Sequence, residues 1–403
     1  MVYFNKIVLA IWLIVLTVIL PTGVPADEFK LIPSISVREE YNDNIFFDDH
    51  GEIDDWITTI SPGLKLIDRT DRLDLNLSAL GHGIVYADND DLNDFDQDYK
   101  GNISYRMTPQ LRVSAGAGYT VDNRRDRDIE TTGLVLSTKE RKRYNGSLSG
   151  EYFLTEKTAA SLSYGYNQDD FDDPQEVDYK YHRSNLGFTH DLSEFFPRTV
   201  GRMNFGYSYY DSSDTTIDIY SGTLGLNWAI TETFNLLADL GTRYTRSDFS
   251  VAQRHPFIPF IIITRKEKDH GWGAVGNVAL SYRGEVTTAS LSALKDVRPA
   301  SGDRETTDRT SFLFKISRRF AEKFSAHLSG EYFLNKADAG ELSRIDVDEQ
   351  TISIRPGLSY EIIDNLVLTA SYTYTWLKDK EDHTKSERNL FYVQMSCGIP
   401  LFE

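Results

Sequence analysis

The sequence predicts an all-β protein, a transmembrane antiparallel up-and-down β-barrel of eighteen strands, with sixteen as the lower count. Three observations carry that prediction. Apolar and polar residues alternate with a period of two through almost the whole chain. Past residue 26 no apolar run approaches the roughly 20 residues that a spanning helix needs, and the mean hydropathy is -0.40. Short turns alternate with longer polar connections, the pattern in which outer-membrane barrels keep tight turns on the periplasmic side and loops outside. The 403 residues also carry 23 Tyr and 22 Phe, a heavy aromatic load that suits strands.

Residues 351–376, TISIRPGLSYEIIDNLVLTASYTYTW, state the rule most plainly. Ile352, Ile354, Pro356, Leu358, Tyr360 and Ile362 alternate with polar neighbours, then Ile363-Asp364-Asn365 turns the chain. Leu366, Leu368, Ala370, Tyr372, Tyr374 and Trp376 then repeat the alternation in reverse direction. Each arm has the ~9–11 residues that a tilted strand needs to cross a bilayer, with aromatics near the arm ends.

In chain order, Lys6 precedes an apolar run over 7–20, and Val24 and Ala26 stand where small residues precede cleavage. Residues 1–26 are read as a signal peptide and 27–403 as the outer-membrane barrel. Strands are expected at 30–41, 55–67, 73–87, 97–107, 111–121, 141–154, 158–167, 179–192 and 200–210. The second half continues at 217–230, 234–247, 269–283, 287–297, 308–320, 324–335, 348–362, 366–377 and 387–400. Outer-girdle aromatics are expected at Tyr119, Tyr166, Tyr209, Tyr244, Trp272 and Trp376, and inner ones at Tyr105, Trp228, Phe234, Tyr282, Phe324 and Tyr360.

Between the strands, residues 43–55, 88–98 and 169–178 are acidic runs without Lys or Arg, read as solvated outer loops with divalent-cation binding as the sharper alternative. Residues 255–264, HPFIPFIIIT, are the one strongly apolar loop; Pro256 and Pro259 make it a poor strand. An inward constriction and a packed rim segment are both open readings. Pro62 and Pro356 lack a ladder donor inside predicted strands and are expected to mark bulges or local bends.

Chemistry is sparse. His182 with Ser184, and His327 with Ser329, stand two apart on a strand, as a Ser/His pair of a membrane-embedded lipid hydrolase would. Eight His and abundant Ser make chance spacing the plainer account. No Cys/His cluster suggests zinc, no glycine-rich loop cradles phosphate, and no cofactor is expected. A net charge of -18 argues against a nucleic-acid partner. The single Cys397 permits no intrachain disulfide and is read as an apolar side chain beside Met395.

Tyr41-Asn42-Asp43-Asn44-Ile45-Phe46, an acidic connection, and then Trp56 through Ser61-Pro62-Gly63-Leu64 resemble the opening of outer-membrane β-barrel porins of the second type. The resemblance covers only the start of the mature chain. It implies a bacterial outer-membrane barrel without catalytic residues. Because such proteins are often associated with exopolysaccharide export, it also implies polysaccharide-export components as partners, beside outer-membrane lipid and the barrel-assembly machinery. The chain closes on Phe402-Glu403, a slight departure from the usual terminal aromatic of the assembly signal.

Sorting charges by strand face puts Arg38, Lys65, Lys100, Arg112, Arg143, Arg183, Arg202, Arg243, Lys315 and Arg355 in the lumen, against Glu40, Asp74, Glu151, Asp239, Glu331 and Glu361. The predicted wall is net basic, and a confined basic passage concentrates anions. The expected function is a pore or export conduit for anionic solutes or exopolysaccharide. The rivals are a membrane-embedded lipid hydrolase and a surface scaffold or adhesin; a narrow barrel in which these charges simply pair off is the plainer account of the wall.

Overall fold

In the computed structural model of the chain, the described residues are 28–124, 137–255, 258–299, 306–337, 342–343, 346–381 and 383–401. The stretch read as a signal peptide lies outside them.

Eighteen strands follow one another: β1 (Glu28–Asn42), β2 (Asp55–Arg69), β3 (Leu73–Tyr86), β4 (Asp94–Arg106), β5 (Leu111–Asp122), β6 (Arg141–Phe153), β7 (Thr158–Phe171), β8 (Tyr179–Asp191) and β9 (Thr199–Ser212). Then come β10 (Thr215–Ala229), β11 (Phe234–His255), β12 (Ile258–Arg283), β13 (Thr287–Pro299), β14 (Thr306–Ala321), β15 (Phe324–Ala337), β16 (Val347–Ile363), β17 (Leu366–Asp379) and β18 (Thr384–Gly398). Each pairs antiparallel with its sequence neighbours, and β1 pairs with β18 from Ser34↔Gly398 to Asn42↔Leu390, which closes the sheet into a barrel. Closure leaves neither the first nor the last strand with an open edge, as crossing lipid with strands requires.

The alternation sets the faces. Leu224 and Trp272 are 67% and 72% exposed on the outside, whereas Thr245 and Ser371 point inward at 0% and 2%. Such a belt of exposed large apolar side chains suits hydrocarbon rather than water. Phe234 faces Tyr282 across one ladder with ring centroids 4.8 Å apart, and Tyr244 faces Trp272 at 5.1 Å ten positions higher. Ten residues rise about 33 Å along a strand, which at the tilt of such barrels is about 25 Å of height. These pairs sit at the two expected girdles.

Strand ends agree with the sequence reading within four residues except in one hairpin. There β11 runs to His255 and β12 begins at Ile258, so residues 258–264 of the apolar stretch are strand instead of loop. The β11–β12 register shifts between Arg254 and His255. Side chains of 251–265 and residues 256–257 lie outside the described residues, so both open readings of that stretch do too. The long-connection end is also less uniform than expected, because only residues 213–214 join β9 to β10.

Pro62 and Pro356 do not make bulges. Across β2–β3 the ladder pauses between Ile60↔Gly83 and Gly63↔Leu80, and across β16–β17 between Ile354↔Tyr374 and Gly357↔Ser371, then each resumes in the same register. Missing donors thus cost local pairing without adding a residue. At the 364–365 turn Asn365 adopts φ 68, a left-handed conformation that Asn tolerates better than most residues.

Candidate functional site: a lumen in two halves

Inward side chains form two environments. In the short-turn half a cavity of about 850 Å³ is lined by Lys315, Arg355, His327, Ser329, Ser290 and Asn235. A second hollow of about 350 Å³ at the short-turn rim gathers Arg69, Arg72, Arg106 and Arg112 with Asp74. Lys65 stands exposed on the same wall. Lys65, Arg112 and Lys315 have no carboxylate within 4.0 Å among the described residues. Arg355 donates from Nε to the Thr373 hydroxyl at 3.1 Å.

The loop half is packed. Tyr179 and Tyr181 of β8, Tyr210 of β9, Ile217 and Ile219 of β10 and Phe249 of β11 cluster with Val297 of β13, Ala337 of β15 and Val347 of β16, so opposite arcs of the wall touch. Charges there are paired. Arg141, 2% exposed, contacts Asp122 at 2.7 Å and Asp169 at 3.3 Å, and Arg143 meets the same Asp169 at 2.6 Å. Arg243 contacts Asp308 at 3.2 Å; nearer mid-wall Lys100 contacts Asp98 at 2.9 Å, and in the short-turn half Arg202, three residues into β9, donates to Asp239 at 3.0 Å. Arg38 is paired with Glu40 and lies 3.9 Å over the Tyr392 ring. Arg183 is exposed and lines a mid-lumen cavity of about 390 Å³.

The sequence reading missed Arg141, Arg309 and Arg388, all buried, and the lumen carboxylates Asp98, Asp122, Asp169 and Glu349. Asp98 and Asp169 end and begin acidic runs, Asp98 within the expected strand 97–107 and Asp169 beyond the expected strand 158–167; β4 starts at Asp94 and β7 continues to Phe171, and both carboxylates meet inward cations. The net-basic wall is therefore a property of the short-turn half; near the loops carboxylates balance the cations. Other loop aspartates hold backbone: Asp55 accepts from the amides of Ala87, Asp88 and Asn89. Among the described residues no group of three His, Cys, Asp or Glu is arranged for a metal ion.

Residues 19–179 match the family described as "Putative beta-barrel porin 2". The match ends at Tyr179, where β8 begins. The whole chain resembles solved outer-membrane barrels: the open form of the ferric-catecholate import receptor Fiu from E. coli K12 aligns at 8% identity over 93% of this chain and 82% of that one, with a TM-score of 0.50. The Pseudomonas aeruginosa protein OpdK aligns at 11% identity over 92% and 98% (TM-score 0.45), and OccK2 in complex with glucuronate at 11% over 94% and 99% (TM-score 0.46). No curated protein matches the chain. Family and fold together place this porin-like barrel in the bacterial outer membrane.

Within the matched stretch the barrel's opening motif is a closure device. Asn44 donates from Nδ2 to the carbonyls of Asp48 and Glu387 at 2.8 and 3.0 Å, and its amide donates to Asn42 Oδ1 at 3.0 Å. Asp43 accepts both the amide and the side-chain NH2 of Asn389 at 2.7 Å. Tyr41 packs its ring tilted against Trp56, with centroids 5.3 Å apart. Ser61 shares a hydrogen bond with His82 Nδ1 at 2.8 Å, and Gly63 leaves room for Leu80 and the Ser34 hydroxyl. Of the two Ser/His spacings, His182 and Ser184 share the outward face, but His182 Nδ1 is hydrogen-bonded to the Tyr164 hydroxyl at 2.8 Å within the aromatic girdle. His327 and Ser329 face the 850 Å³ cavity.

Proposed function

We propose that this barrel is a conduit for acidic solutes, an acidic exopolysaccharide among them, entering from the periplasm. The observation that carries the reading is the short-turn vestibule, where Lys315 stands without a carboxylate partner among the described residues and Ser281, Ser290, Ser329 and Asn235 line the same cavity. Unpaired cations in a confined, low-dielectric wall attract anions. Hydroxyl and amide groups offer the hydrogen bonds a sugar acid needs. The basic rim at Arg69, Arg72, Arg106 and Arg112 faces the side from which polysaccharide-export components would deliver a chain. The apolar cluster of the loop half acts as the gate, which must part before a polymer leaves. Removal of residues 1–26 and insertion by the barrel-assembly machinery belong to the same proposal.

Reversal potentials across a salt gradient test it, using refolded protein in planar bilayers. Anion selectivity, weakened by Lys65→Glu, Arg112→Glu and Lys315→Glu together, is the expected result. A cation-selective wild type overturns the proposal.

A further inference from the structure

One seam in the wall is incomplete. The β12–β13 ladder runs only from Arg283↔Thr288 to Gly276↔Lys295. Yet β12 stays paired with β11 from Tyr282 up to Ile258, and β13 stays paired with β14 up to Pro299. Above Gly276 the facing edges of β12 and β13 are therefore unladdered.

The gap lies at lipid depth. Trp272 of the outer girdle stands four residues above Gly276, about 13 Å along the strand, which is about 10 Å of height. A bare strand edge in hydrocarbon is costly unless it borders a polar cavity, and here it does. The 390 Å³ cavity is lined on both sides of the seam, by Val275 to Asn277 of β12 and by Leu294 to Val297 of β13, so the bare edges border it. Val297, which alternation would set outside with Leu291, is instead buried with Tyr181 and Ile219.

Side chains clasp this gap in place of backbone. Arg243 of β11 passes over Gly273, where a Cβ would meet its guanidinium at 2.7 Å, and reaches Asp308 of β14 at 3.2 Å. Lys295 contacts the same Asp308 at 2.9 Å. Two cations thus share one carboxylate beside exposed Arg183, a place where an incoming anionic group can compete for them.

We propose that the β12–β13 gap is a lateral portal for an acidic amphiphile, whose anionic head binds Arg243, Lys295 and Arg183 while its acyl chain lies in the outer leaflet. This stands independently of the conduit reading. Replacing Ala274 and Val297 by cysteine, with Cys397→Ser, continues the interrupted register and allows the gap to be stapled. In phosphatidylcholine bilayers the reduced form should bind dodecyl phosphate at least tenfold more tightly than inorganic phosphate, and oxidation should abolish that preference. Equal affinities, or a preference that survives stapling, overturn the portal. A diazirine-bearing dodecyl phosphate on the unmodified barrel gives a readout free of engineered cysteines: labelling at Val275, Asn277 or Leu294 supports the portal, and labelling confined to Leu291 and Trp272 refutes it. Chloride conductance in the same bilayers reports separately on the conduit. Conductance without a chain-length effect removes the portal alone, and the converse removes the conduit alone.

Discussion

The short-turn half and the loop half of the lumen are built by the same strands with the same alternation, yet they treat charge in opposite ways. Below, Arg112 and Lys315 face open cavities without ion-pair partners among the described residues. Above, Arg141, Arg143 and Asp169 are locked together while tyrosines and isoleucines meet across the barrel. Alternation decides only that a side chain points inward. Whether an inward cation remains available for a solute depends on how close the opposite wall comes.

The largest expected effect falls in the packed half. Asp169→Ala takes a shared buried carboxylate from Arg143 and from Arg141, which retains Asp122, and breaking a buried ion network by removing one partner costs about 3–5 kcal/mol. Lys315→Ala should cost under about 1 kcal/mol, since an exposed cation has no pair to lose. Urea unfolding followed by the gel shift of heated against unheated protein compares them; similar costs would erase the distinction between halves.

Next comes the wall that both halves share. Leu224→Arg on the lipid face should destabilise by about 2–4 kcal/mol, whereas the inward Asn227→Arg should cost well under that. Equal losses in the same unfolding assay would mean that the faces are reversed.

A smaller energetic effect but a clear electrical one is expected from Arg202→Glu set beside Lys315→Glu. Arg202 is neutralised by Asp239, so the ion selectivity of the pore should respond more to Lys315. Bi-ionic potentials decide it, and a larger response to Arg202 would mean that ion pairing does not decide which inward cations a solute meets.

The smallest effect lies in the 172–178 connection. A hydrogen bond from the Ser137 hydroxyl, helped by the amide of Gln175, holds the Asp173 carboxyl below its ordinary value. A depressed acid stabilises above its unfolded pKa of about 3.9 and loses that contribution as pH falls through the folded value. Hydrogen exchange in 172–178 should quicken only at such acidic pH, and Ser137→Ala should remove that dependence.

Much of this was legible in the chain. Period-two alternation placed eighteen strands, and with them the outward leucines and both girdles, because facing is a local property of a strand. Pairing across the lumen was not legible. Nothing near Tyr181 announces Val297, since the two meet only when the closed sheet brings distant arcs together. The acidic runs misled for a related reason: Asp98 and Asp169 look like the margins of solvated runs until Lys100 and Arg143 supply partners. Pro259 suggested a break, yet β12 begins at Ile258 and runs on through it.

The asparagine clasp at the barrel's closure carries an implication for the order of events. Asn44 and Asp43 emerge among the first residues of the barrel, yet their partners Glu387 and Asn389 lie 343 and 346 residues away, on the last strand. Contacts of such sequence separation repay their loop-closure entropy only once the intervening chain is ordered. The motif that opens the barrel therefore works as its final fastener. A chain stalled before β18 keeps two bare edges and no lock, and it stays distinguishable from finished product for as long as it is stalled.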